Sequence, residues 1–294
     1  MVKWVVLFLC LTTAPAHASE VARIAIIIDD LGDQWRAGSR AINLPGSMTY
    51  AFLPHTPHAV ELANKAHDQG KEVMLHLPMQ SMDAKSLGPG GLTLDMSKAL
   101  FVRAVRDDIS AIPHVRGINN HMGSLLTRHP GHMQWLMEEI NHHGDLFFID
   151  SRTTHHTVAE QVARENHVPV QRRDVFLDDD PSPEAIAFQF HRLLKKARHE
   201  GMAIGIGHPY DTTLSLLERM LPQLEEKGIK LVHASELFQP PPPPSPEIRM
   251  ADSPQIDKHL VYLTEPPQPP TSPAEQETQP QLGTKHETGT QPAI

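Results

Sequence analysis

The chain predicts an α/β fold, a (β/α) barrel, complete or distorted, of seven or eight parallel strands. Three observations point there. Short apolar runs alternate with helical patterns through most of the chain, which implies a parallel sheet. There are eight such runs, enough to favour closure over an open sheet. The first run is not followed by GxGxxG, the phosphate-binding loop of a doubly wound dinucleotide fold.

The strands are expected at 23–28, 48–53, 72–77, 115–118, 146–149, 168–170, 203–206 and 229–232. Each is a short apolar stretch rich in Ile, Val, Leu or Phe and bounded by turn residues. Between them lie helix signals. Thr56-Pro57 offers a cap and a first-turn proline to a helix that stops at Gly70. Pro130 opens a second pattern, which ends at Gly144. Ser182-Pro183 opens the longest, with Ile186, Phe190, Leu193 and Leu194 on one face and Gly201 at its end.

Both ends of the chain differ from this pattern. Residues 1–18 are expected to be a cleaved signal peptide: Lys3, an apolar run over 4–13, then Ala16-His17-Ala18 as the cleavage site. That run is shorter than the roughly 20 residues a membrane span needs, and no later run is long enough either. The mature protein is therefore expected to be exported, to the periplasm or beyond, with no transmembrane span. The domain is expected to occupy 21–238. From Gln239 to Ile294 the chain is rich in Pro, Gln, Thr and Ser and holds about half of the 27 prolines. Such a segment cannot bury enough apolar surface to offset its ordering entropy, so a disordered tail is expected. It would serve as a solvated spacer or as an arm for another envelope protein.

Cys10 is the only cysteine, and it lies in the leader, which excludes disulfides, thiolate catalysis and cysteine-held zinc in the mature chain. The net charge of −9 argues against nucleic acid as a partner. The histidine count is 20, and most are expected on loops or exposed helix faces, among them His55, His58, His129, His132, His142 and His143.

Chemistry gathers where the strands end. Ile26-Ile27-Ile28 leads into Asp29-Asp30, Val73-Met74-Leu75 into His76, and Gly117-Ile118 into Asn119-Asn120-His121. Phe147-Phe148-Ile149 leads into Asp150-Ser151, and Ile204-Gly205-Ile206-Gly207 into His208. In a parallel barrel these positions converge on the C-terminal rim, where such folds keep their sites. A carboxylate with two imidazoles can hold Zn²⁺ and leave a position open for water. A second carboxylate can take the proton of that water, and a histidine opposite can protonate a leaving amine.

These segments resemble the divergent polysaccharide deacetylases, relatives of the NodB-type carbohydrate esterases. The match runs through Ile28-Asp29-Asp30-Leu31-Gly32, His76-Leu77-Pro78-Met79 and Gly117-Ile118-Asn119-Asn120-His121-Met122-Gly123-Ser124. It continues, in order, through Ile149-Asp150-Ser151, Phe176-Leu177-Asp178-Asp179 and Ile206-Gly207-His208-Pro209. The resemblance implies a distorted (β/α) barrel and a divalent metal, with zinc the expected ion. It implies Asp29 as catalytic base, Asp30 and His76 as metal ligands, and His208 as general acid. The esterase pattern has a second histidine four residues after the first, where this chain has Gln80; His121, from a neighbouring strand end, would replace it as the third ligand.

Three of the remaining polar residues admit two roles each. Asp150 could orient a histidine from behind or cap a helix starting near Thr157. Asn119 and Asn120 could donate to an acetyl oxygen or hold the loop that presents His121. Asp178, Asp179 and Asp180 are expected only to cap the helix after Pro181. The resulting expectation is an exported metal-dependent hydrolase that deacetylates an envelope polysaccharide, such as peptidoglycan or an exported glycan. The alternative is a non-catalytic glycan- or protein-binding factor on the same barrel.

Overall fold

The computed structural model describes residues 21–238 apart from Ala84; the expected leader and Pro-rich tail lie outside the described residues. The strands are β1 (Ala22–Leu31), β2 (Thr49–Phe52), β3 (Glu72–Met79), β4 (Val115–Met122), β5 (Phe147–Asp150), β6 (Val170–Arg172), β7 (Val175–Phe176), β8 (Met202–Gly207) and β9 (Ile229–Leu231). The helices are α1 (Trp35–Ile42), α2 (Ala59–Asp68), α3 (Lys98–Ala111), α4 (Pro130–His143), α5 (Ala159–Glu165), α6 (Pro183–Glu200) and α7 (Asp211–Met220).

The strands form one parallel path of eight, ordered β6-β5-β4-β3-β2-β1-β8-β7. It is an incomplete barrel. β6 and β7 follow one another in the chain but sit at opposite ends of the path. They have three and two residues, too few to pair across the seam. The seam is crossed instead by the residues between them. Arg173 donates from its backbone to Asp150 O at 2.9 Å, and Asp174 from its backbone to Ile204 O at 2.9 Å. The ninth strand, β9, shares an edge of β1 with β2: β9 pairs with Ala22–Ile24 and β2 begins at Ile27.

Alternation along the strands sorts the core into two layers. Ile24, Ile26 and Ile28 of β1 pack with helix residues such as Leu62, Phe101, Leu136 and Phe190. Ala25 and Ile27 belong to a second cluster, with Ala51, Met74, Phe147, Ile149, Ile204 and Ile206, into which no helix among α1–α7 enters. That second layer fills the inside of the curve. Val232, Ala234 and Leu237 close it at the N-terminal ends of the strands. There Thr49 Oγ1 donates to Glu72 Oε1 and accepts from Ala234 N, each at 3.0 Å. The opposite end stays open and polar.

The Pro130 and Ser182-Pro183 helices start and stop where expected, and Gly144 and Gly201 adopt positive φ at their ends. Two expectations need correction. α2 begins at Ala59, and Thr56 Oγ1 donates to Leu53 O rather than capping the helix, because the β2–α2 turn draws that hydroxyl back. His132 is not solvated: it is buried, with its ring against those of Phe101 and Trp135. Among the described residues no helix is long and apolar enough to cross a membrane.

Candidate metal centre

The inward-facing positions of four strands continue past the apolar layer and become polar at the open end. On β1, Asp29 follows Ala25 and Ile27; on β3, His76 follows Met74. On β4 the same face carries Asn119 and His121, and after β8 His208 follows Ile204 and Ile206. Register brings β3 and β4 together, with His76 opposite Asn119 and Pro78 opposite His121.

Asp30 would point away from this face in a regular strand. It has φ +57°, and the β1–β2 register slips between Ile28 and Leu31. A left-handed residue breaks the alternation. Two consecutive aspartates therefore turn toward the same imidazole: His76 Nε2 lies 3.1 Å from Asp30 Oδ1 and 3.7 Å from Asp29 Oδ2.

Asp30, His76 and His121 form the one such cluster of metal-ligating side chains among the described residues. Asp30 Oδ1 is 2.9 Å from His121 Nδ1 and 3.1 Å from His76 Nε2, and the two ring nitrogens are 3.1 Å apart. The three donor atoms thus make a nearly equilateral triangle. Ligands about 2.0–2.1 Å from one small divalent ion are spaced by about 2.9 Å at right angles and about 3.3 Å at tetrahedral angles, so the triangle is within a few tenths of an ångström of holding such an ion. Asp30 Oδ1 is also buried with no well-formed hydrogen bond, as expected of an atom meant for a cation.

The surrounding groups fix these ligands. The Asn119 amide donates to Asp29 Oδ1 at 2.8 Å, and its carbonyl accepts from His76 Nδ1 at 2.8 Å. The carboxylate can only accept, which sets the amide orientation and puts the His76 proton on Nδ1. Nε2 is left with its lone pair toward Asp30 and His121.

The two aspartates are driven apart electrostatically. Burial pushes the Asp29 carboxyl up, against the pull of His76, His208 and the Asn119 hydrogen bond. Burial acts on Asp30 in the same direction, but the two imidazoles of His121 and His76, 2.9 and 3.1 Å away, outweigh it and hold it well below the usual carboxylate range. Opposed shifts of this kind separate a permanently ionised ligand from a proton acceptor.

His208 faces the triad from β8, its Nε2 3.8 Å from Asp30 Oδ2. The buried Asp178 carboxylate holds the ring from the other side, with Oδ1 2.9 Å from Nδ1. Burial disfavours the charged ring, yet the Asp178 hydrogen bond and charge, with Asp30 and Asp29, raise its pKa to about 9. Tyr210 stacks on this imidazole at 5.5 Å, and Phe176 meets it edge-on at 5.4 Å.

Several sequence expectations change here. Asp178 is no helix cap: it accepts from His208 N at 2.7 Å and from Thr213 Oγ1 at 2.7 Å, while Ser182 caps α6. Asp150 orients no histidine, because its parity on β5 turns it toward α5, where it accepts from Thr157 Oγ1 at 2.9 Å. Asn119 is fully buried and engaged with His76 and Asp29, so it positions the ligand and the base rather than an acetyl oxygen. Asn120, on the opposite face of β4, donates to Met122 O at 2.7 Å and accepts from Ser151 N at 2.9 Å. It holds the loops on either side of the site. Gln80 takes no part in the triad: its carbonyl accepts from Leu94 N at 2.8 Å, anchoring the loop after β3.

Sequence reasoning missed Arg173, whose guanidinium donates to Ser151 O at 2.6 Å and Arg152 O at 2.9 Å and lies 4.7 Å from the Phe176 ring. Two cavities meet at the triad and share Asp30, His121, His208 and Tyr210 as walls.

Comparison with known proteins agrees with this fold. Residues 26–238 match the family model described as divergent polysaccharide deacetylase. The uncharacterized protein YibQ of Escherichia coli K12 is 38% identical over 219 residues, 74% of this chain and 68% of that protein. An uncharacterized Haemophilus influenzae protein is 35% identical over 218 residues, covering 74% of this chain and 77% of its own length. The crystal structure of an uncharacterized Agrobacterium tumefaciens C58 protein superposes with a TM-score of 0.72 at 22% identity, covering 76% of this chain and 92% of that one.

Proposed function

The chain belongs to the divergent polysaccharide deacetylases, and from that premise we propose that it is an exported, metal-dependent hydrolase that removes acetyl groups from an envelope polysaccharide. The observation that carries the proposal is the triangle of Asp30, His76 and His121 with a proton acceptor and a proton donor on either side of it. The periplasm follows from the expected leader, Lys3 with the apolar run over 4–13 and Ala16-His17-Ala18.

A divalent ion such as Zn²⁺, held by Asp30, His76 and His121, would supply the Lewis acidity that activates water and polarises the acetyl carbonyl. The chain's own groups handle the protons. Asp29, ionised but with its affinity for protons raised by burial, takes the proton of the attacking water. Asn119 keeps that carboxylate oriented while fixing the His76 ring. His208, charged at neutral pH and steadied by Asp178, gives its proton to the departing amine or alcohol of the sugar. Phe176 and Tyr210 shield that imidazole from bulk water.

Acetate release from a panel of N- and O-acetylated glycans, by protein loaded with zinc, tests the reading. Release should depend on metal and vanish in Asp30→Ala and His76→Ala. A protein that binds glycan but releases no acetate under any metal would be the non-catalytic factor instead.

A further inference from the structure

The loop after β5 is held more firmly than a surface turn needs. Ser151 N donates to the buried Asn120 amide at 2.9 Å, and Arg152 N to the Asp150 carboxylate at 2.8 Å. Arg173 closes the other side on Ser151 O and Arg152 O, and Thr153 Oγ1 donates to Met122 O at 2.8 Å. Three buried or half-buried polar residues thus converge on a segment whose one left-handed residue is Arg152, at φ +50°. A non-glycine residue persists there only where its surroundings over-determine it, and such positions cluster at functional sites.

What the loop presents to the metal cleft is a hydroxyl and a guanidinium. Ser151 is 5% exposed, and its Oγ has no hydrogen-bond partner although it lines the cavity. A buried hydroxyl without a partner awaits a ligand or a water. Arg152 lines the same cavity and also the neighbouring one beside Glu160; its charge acts on Asp150, but its guanidinium makes no hydrogen bond or ion pair among the described residues. Nearby Arg164 and Arg172, by contrast, are both paired with Glu160. Lys85, on the same wall as the cleft's other charges, is paired with Asp83 at 3.0 Å. Asp179 is a second exposed carboxylate on that rim, beside Arg173.

We propose that Ser151 and Arg152 form a subsite for an anionic sugar substituent, a carboxylate, on the unit next to the one that reacts. A planar fork of donors beside a hydroxyl suits the two oxygens of a carboxylate. This rests on the glycan reading above, and it narrows the substrate to a polysaccharide that carries acidic groups. The second cavity, past Asp33, Gln34 and Pro54, is lined by no lysine or arginine and takes the neutral side of the chain.

The test measures binding rather than turnover. The intact protein is titrated calorimetrically with a neutral N-acetylglucosamine tetrasaccharide and with the tetrasaccharide in which alternate units carry a lactyl carboxylate. Wild type should prefer the acidic ligand by about tenfold, and the preference should shrink with added salt. Arg152→Asn should abolish the preference and leave the neutral ligand's affinity unchanged; asparagine tolerates left-handed φ, so the loop is kept. An unchanged melting temperature in that variant separates loss of recognition from loss of structure. Equal affinity for the two ligands in wild type, or a preference that survives Arg152→Asn, overturns the proposal. So does stronger competition by inorganic phosphate than by the carboxylated sugar. If acetate is never released yet the preference holds, the deacetylase reading fails and this subsite stands.

Discussion

The Asp178 carboxylate grips His208 twice, with Oδ2 2.7 Å from its backbone nitrogen and Oδ1 2.9 Å from ring Nδ1. The first bond places the residue and the second fixes its tautomer, leaving Nε2 toward the triad. Because the raised pKa of about 9 keeps the ring charged, the donor form is populated below that pH and activity is lost as pH rises through it. Asp178→Asn removes the nearest raising charge. The alkaline limb of kcat should move to lower pH, and kcat at pH 8 should fall by about 10- to 100-fold. A pH–rate profile of the variant that overlays wild type would show that Asp178 only anchors Thr213 and α7.

Much of this site was legible in the sequence, and the rule that sorts it is the two-residue alternation of a strand. Residues in phase with Ala25, Met74, Ile149 and Ile206 face inward, so Asp29, His76, Asn119, His121 and His208 converge. Asn120 and Asp150 are out of phase and serve loops and helix α5. Applied strictly, the alternation would have denied Asp150 a histidine from the start. It could not foresee Asp30, whose left-handed backbone reverses the phase; the slip depends on how β2 pairs with β1, which is not local information. Asp178 was hidden for a different reason. β7 has two residues and shows no periodicity, so its end did not register as a strand end. The signal that was available was Phe176-Leu177-Asp178 itself, an apolar pair leading into an acid as at the other strand ends. The helices α1 and α7 gave weaker cues than the Pro-initiated α4 and α6 because no side chain caps their starts, and α3 has its Ser97 cap without a proline behind it.

Asn119 is the shared support of a ligand and a base. Its removal frees both the His76 ring and the Asp29 carboxylate at once. Asn119→Ala should weaken zinc binding by about 10- to 100-fold, the usual cost of losing a group that orients a metal ligand. Competition with a chromophoric chelator measures it directly. Unchanged affinity would mean that His76 needs no such support.

Asp108 gives a pH dependence remote from the metal. It is buried on α3, with Oδ1 2.9 Å from His55 Nε2, and burial, then the neighbouring Asp107 charge, push its carboxyl up to about 8. Between about pH 4 and 8 the folded protein keeps a proton that the unfolded chain has released, so this group lowers stability as pH rises through that window. Below about pH 4 the two states are equally protonated and the penalty is absent. Asp108→Asn keeps a donor for His55 and removes the titration. The variant should melt close to wild type at pH 4 and several degrees above it at pH 8. Melting curves that stay parallel across the range would sink the assignment.

The strongest separation of roles lies between two adjacent residues. Asp29 and Asp30 both reach His76 Nε2, yet burial raises the proton affinity of one while the imidazoles suppress that of the other. If Asp30 is a ligand, Asp30→Asn loses the ionised oxygen at one corner of the triangle, and zinc uptake and activity fall together. If Asp29 is the base, Asp29→Asn keeps its place beside Asn119 and leaves the triangle intact. Zinc should then be bound at full stoichiometry while kcat drops by about 100- to 10,000-fold. Metal content by elemental analysis and acetate release, measured on the same samples, distinguish the two. Loss of metal in both variants would make Asp29 a fourth ligand and leave proton abstraction without an owner; activity retained in Asp29→Asn would return the role to water or to His208.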